Sequence, residues 1–179
     1  MSEIMDGFEH CGYLVELDEV IRAGHTKYRR TPPEFLIDHT PRSAASDTHD
    51  YIVAGMGKRF WGRKGVRPFE IRGLHLWLFE NVNAVIRIKK MDGLGRTQGI
   101  QTGQAKDYDA DREIPGLPPK PIRLVAGYWE NETALEVTRT QIARPFGRRI
   151  DWCAAIVPME KRKDGARVWA EVARQYRIA

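Results

Sequence analysis

Nine residues in the middle of the chain have types and spacings suited to contact with a polyanion. Arg59, Trp61, Arg63, Lys64 and Arg67 form one block, and Arg87, Lys89, Lys90 and Arg96 form a second. Lys58 leads into the first block. Cations release the counterions condensed on a phosphate backbone, and aromatic rings stack on bases without much sequence preference. In an extended strand Arg87 and Lys89 would share a face about 7 Å apart along the chain. That spacing is close to the distance between successive phosphates. Phe60, Trp61 and Trp77 lie nearby in sequence to stack. The same residues would also suit a sheet edge kept from aggregating by charge, with Trp61 and Trp77 in the core.

A second chemistry is metal-dependent phosphodiester cleavage. Such sites place an acid on one strand and an acid-x-Lys on the next, so that carboxylates hold a metal beside a lysine. Glu70, Glu80 and Lys89 are the nearest approach, with Asp50 or Asp92 to complete the set. Glu70-Ile71-Arg72 departs from the pattern at Arg72. Two histidine–carboxylate neighbours, Asp38-His39 and His49-Asp50, lack any specific metal-binding spacing. On a helix His49 and Asp50 would point apart, with His49 on the apolar side, whereas Asp47 and Asp50 would share a face. Ser43 and Ser46 fit capping, and Cys153 fits a small core residue. No phosphate loop and no nucleophile elbow is present. No cofactor and no metal site is expected.

The charge distribution supports the first chemistry. The chain has 179 residues and a formal net charge of +5. Residues 1–50 hold 5 basic and 10 acidic side chains, whereas residues 51–106 hold 11 basic and 3 acidic. The positive charge is therefore concentrated in the middle third. A nucleic acid, DNA or RNA, is the expected partner. The acidic start and basic middle also suit self-association into a homo-oligomer, or an acidic protein partner.

Cys11 and Cys153 are far apart and form no CxxC pair, which points to a reducing, cytoplasmic setting. Met1–Gly12 carries three acids and no lysine or arginine, so no secretory leader is expected. No apolar run reaches the roughly 20 residues of a membrane span, so no membrane partner is expected. Apolar residues make up 42% and charged residues 30%, a balance typical of a globular fold. A small bacterial or phage accessory protein fits this profile.

The elements that position these residues follow from periodicity. Leu14, Leu17, Ile21 and Gly24 predict an amphipathic helix over Tyr13–Tyr28, ended by Thr31-Pro32-Pro33. Thr40-Pro41 predicts a capped helix start, and the helix runs to about residue 60. Phe69–Phe79 reads as a strand apolar on both faces, with Leu74, Leu76 and Leu78 opposite His75, Trp77 and Phe79. Ala84–Met91 alternates and pairs with it as an antiparallel hairpin. Residues 92–121 form a long connection with a short helix around Thr102–Asp111. Ile122–Trp129, Ala134–Ala143 and Arg149–Val157 predict an antiparallel meander. Trp169, Val172, Ala173 and Tyr176 predict a terminal helix over Ala166–Tyr176. The expected fold is one α+β domain over residues 1–179. It has N-terminal helices, an antiparallel sheet of about five strands and a C-terminal helix.

Overall fold

The computed structural model describes residues 1–71, 73–97, 102–116 and 120–172. Three longer helices and a one-turn helix come first: α1 (Ser2–His10), α2 (Tyr13–Arg29), α3 (Pro33–Leu36) and α4 (Pro41–Phe60). Strands β1 (Val66–Ile71), β2 (Leu74–Phe79) and β3 (Ala84–Lys90) follow. Helix α5 (Gly103–Asp109) leads to β4 (Ile122–Glu130), β5 (Val137–Phe146), β6 (Arg149–Ile156) and β7 (Trp169–Glu171). Helix α4 starts where local chemistry requires. The Thr40 hydroxyl accepts from the Ser43 N–H at 3.2 Å, and Pro41 occupies the first turn.

The seven strands form one sheet whose spatial order equals their chain order. All neighbours are antiparallel except β3 and β4, which run parallel from Ala84–Ile122 to Lys90–Tyr128. Parallel neighbours need a crossover, and α5 lies within it. Tyr108 of α5 packs on the sheet, its hydroxyl 2.7 Å from the Val85 carbonyl and 2.8 Å from that of Leu124.

Each face of the sheet carries a core. On one face Trp77, Phe79, Ile86, Ile88, Leu124, Ala126 and Ile142 meet Phe8, Leu17, Ile21, Ile52 and Met56 from the helices. On the other, Leu76, Leu78, Val85, Val125, Ala143 and Cys153 meet Tyr108 and Ile114. The two-faced β2 and the inward Ile86 and Ile88 therefore stand as read from the sequence. Helix α1 reaches both flanks of the sheet: Phe8 packs on Phe79 of β2 at 5.2 Å, and Asp6 accepts from the Trp169 indole of β7 at 3.1 Å. A flat sheet would separate β2 and β7 by about 24 Å, so the sheet curls around the helix.

Four expectations need correction. Among the described residues the sheet has seven strands, because Trp169–Glu171 adds one and Phe69–Phe79 is two strands reversed at Gly73, whose φ of +79° suits a residue without Cβ. The sheet is mixed, because the 92–121 connection returns the chain parallel to β3. Trp169–Glu171 is a strand paired with β6, where a terminal helix is expected from the apolar spacing. The rest of that expected helix, 173–176, lies outside the described residues. Helix α1, finally, has no counterpart in the periodicity analysis; its acids obscured the buried pair Met5 and Phe8. Among the described residues, no helix is long and apolar enough to cross a membrane.

Candidate nucleic-acid interface

The two blocks separate along the sheet, with Arg87 midway between its ends. Register defines the ends. Val66 pairs with Phe79, Phe79 with Ala84, and Ala84 with Ile122, so these residues are level. Lys90 lies six residues beyond Ala84, about 20 Å away along the strand. The first block therefore lies at the end that carries the start of β1, and Lys89 and Lys90 lie at the other.

The first block is built on the turn between α4 and β1. Ile52, Met56 and Phe60 form the buried stripe of α4, each fully or nearly fully covered. Trp61 follows the last helical residue, off that stripe, and is 82% exposed. The turn is fastened at three points. The Arg63 N–H donates to Phe60 O at 3.2 Å, Val66 N–H to Arg63 O at 3.1 Å, and Glu80 N–H to Gly65 O at 2.8 Å. A Cβ on Gly65 would stand 3.0 Å from the Asn81 amide, so the turn packs directly on the β2–β3 connection.

The side chains of this block differ in their freedom to meet a ligand. Arg63 is a strut: it pairs with Glu16, donates to Cys11 O at 3.0 Å and lies 5.0 Å over the Tyr13 ring. Arg59 pairs with Glu19 at 2.9 Å and Arg67 with Glu80 at 2.6 Å, both on the surface. Lys64 and Lys58 are exposed, and among the described residues no carboxylate lies within ion-pair distance of either. Lys58, Lys64 and Trp61 thus form the part of the block open to solvent and uncompensated.

The second block is engaged with the protein's own groups, buried or half-buried on β3 and exposed only at Arg96. Arg87 is 3% exposed and donates to Asp109 at 2.6 Å. Burial outweighs the Arg87 guanidinium and raises the Asp109 pKa above the ordinary carboxylate value. Lys89 is half-buried, and burial, with Arg87 beside it, lowers its pKa. Lys90 pairs with Glu130, which also stands 3.3 Å from His25. Arg96 closes on Asp92 at 3.0 Å within its own turn. The alternation Ile86-Arg87-Ile88-Lys89 reads as apolar-in, polar-out, but the outward face is covered by α5.

Other singled-out groups are placed as follows. Trp77 is 3% exposed and belongs to the core, unlike Trp61. Glu80 sits at the β1-start end, about 17 Å along the sheet from Lys89, and Glu70 stands 3.5 Å from His75. His39 meets Asp47 at 3.4 Å and stacks on Tyr28, while Asp38 is not its partner. His49 and Asp50, expected to diverge, stand 3.3 Å apart; burial lowers the His49 pKa despite that carboxylate. The Cys153 thiol is buried and its pKa pushed up to about 12, which leaves it un-ionised near neutral pH. Among the described residues, no three His, Cys, Asp or Glu side chains gather where they could hold a metal ion.

Sequence reasoning missed the cations at the β5–β6 turn, Arg148 and Arg149, and Lys120 before β4, all exposed at the same end as Lys64. The signal was present in Pro145-Phe146-Gly147-Arg148-Arg149, which reads first as a turn. Compared with protein-family models, with curated proteins and with solved structures, the chain matches none.

Proposed function

We propose that this protein binds nucleic acid, with the α4–β1 turn as its contact surface and no catalytic step of its own. One observation carries the reading: Trp61 is 82% exposed between two uncompensated lysines, Lys58 and Lys64. Leaving a tryptophan in water forgoes a core contribution of a few kcal/mol. A stacking base would recover that, at about 1–3 kcal/mol per base. The flanking ammonium groups supply the counterion-release term. The backbone that carries Trp61 and Lys64 is fastened before binding, which limits the ordering cost.

Binding is favoured over cleavage because Glu80 and Lys89 lie at opposite ends of the sheet. Fluorescence anisotropy with labelled DNA and RNA oligonucleotides between 50 and 200 mM salt tests the reading. Each phosphate neutralised contributes a slope of about −0.7 on single strands and −0.9 on duplex in log K against log salt. Binding at 50 mM that weakens with such a slope supports it; absent binding, or a flat response, overturns it.

A further inference from the structure

The β5–β6 turn repeats the chemistry of the α4–β1 turn at the same end of the sheet. Phe146 is 66% exposed. Arg148 and Arg149 are exposed, and no carboxylate of the described residues lies within ion-pair distance of either. The turn is held: the Gly147 N–H donates to Asp109 O at 2.7 Å, and Phe146 pairs with Arg149.

Register relates the two turns. Val125 pairs with Ala143, so Ile122 and Phe146 are level, three residues further on each strand. Ile122 is level with Ala84, Phe79 and Val66. Four strand spacings, about 19 Å along the curled sheet, therefore separate the α4–β1 turn from Phe146. Polar groups lie between, and two of the junctions are in contact. Gly65 packs on Asn81, and the Asn83 amide donates to Lys120 O at 3.4 Å. Lys120 itself is exposed. The rim thus runs from Trp61 and Lys64 past Asn81, Asn83 and Lys120 to the β5–β6 turn.

The aromatics at its two ends decide the substrate class. A base inside a duplex has both faces covered by its neighbours, whereas an unpaired base can offer one to a ring. Two exposed rings at the ends of a polar rim that carries Lys64 and Lys120 fit a strand whose bases are free. We infer that the ligand is single-stranded nucleic acid, laid along this end of the sheet from Trp61 to Phe146. The inference rests on the nucleic-acid reading above and adds strandedness and a second contact. Sites of this kind cover about four nucleotides or more.

Anisotropy with labelled dT16, U16 and a 16-base-pair duplex, on the wild type and on Phe146→Ala, Arg148→Gln/Arg149→Gln and Trp61→Ala, tests it. All substituted residues are exposed, and an unchanged thermal melt confirms the fold. The wild type should bind dT16 or U16 more tightly than the duplex. Phe146→Ala should weaken single-strand binding about 5-fold or more, the effect of losing one stacked base. The double arginine variant should flatten the salt slope by about 1.4, two phosphates at 0.7 each. If Trp61→Ala loses affinity while both turn variants match the wild type, the second contact is overturned and the nucleic-acid reading stands. Duplex bound as tightly as the single strands overturns the strandedness. Wild type that binds none of the three overturns both readings.

Discussion

The Arg87 guanidinium of β3 and the Asp109 carboxylate of α5 lie 2.6 Å apart, with both side chains almost wholly buried. The pair joins the crossover to the parallel β3–β4 edge, where Tyr108 also spans the Val85 and Leu124 carbonyls. Arg87 is therefore a structural cation although it lies in the most basic third of the chain. Replacing one partner leaves the other charge buried and uncompensated. Arg87→Ala should cost about 3–5 kcal/mol in urea unfolding. Arg87→Met combined with Asp109→Leu should recover most of that loss. A single variant as stable as the wild type would show that the pair does not tie the crossover down.

Two glycines should respond in opposite directions. A Cβ on Gly127 would overlap the Lys89 carbonyl across the parallel β3–β4 pairing, and backbone atoms there cannot give way. Gly127→Ala should separate the two strands locally and destabilise by about 1–3 kcal/mol or more. Nothing lies within 4 Å of a Cβ on Gly57, in the interior of α4. Gly57→Ala should raise stability by about 0.5–1 kcal/mol. Thermal melts of the two variants beside the wild type check both signs.

Legibility in the sequence followed the range of the interactions. Thr40-Pro41 marks the start of α4 correctly because the cap acts over three residues. Leu76 and Leu78 against Trp77 and Phe79 give both faces of β2 because strand alternation is local. Trp169 was misplaced because its strand depends on Ile156 and its indole on Asp6, 163 residues away. Arg87 was misjudged for the same reason: charge counts do not show that Asp109, 22 residues on, will cover it. Trp61 was partly legible. Ile52, Met56 and Phe60 define a stripe at four-residue steps, and Trp61 falls off it. Nothing local, however, distinguishes its exposure from the burial of Trp77.

Glu130 makes stability pH-dependent at the acid end. Burial alone would raise its pKa, but His25 and Lys90 outweigh it and hold the carboxyl below the ordinary value of 4.5. Burial and the Glu130 carboxylate together push the pKa of the neighbouring Tyr128 hydroxyl up, so it stays neutral throughout the acid range. A carboxyl that ionises more readily folded than unfolded stabilises fully above its unfolded pKa. That contribution is lost as pH falls through the lower folded pKa. Between about pH 6 and pH 3 the wild type should therefore lose more stability than Glu130→Gln. Urea midpoints at several pH values measure this, and parallel curves for the two proteins would contradict it.

The most direct test sets the two ends of the sheet against each other. Salt titrations of oligonucleotide binding would be run on the wild type, Lys58→Gln/Lys64→Gln and Lys89→Gln. Lys58 and Lys64 are exposed beside Trp61, whereas Lys89 is half-buried at the far end. The double variant should flatten the slope of log K against log salt by about 1.4 on a single strand, and Lys89→Gln should leave it unchanged. A slope that responds to Lys89→Gln and not to the double variant would contradict the assignment of the interface to the α4–β1 turn.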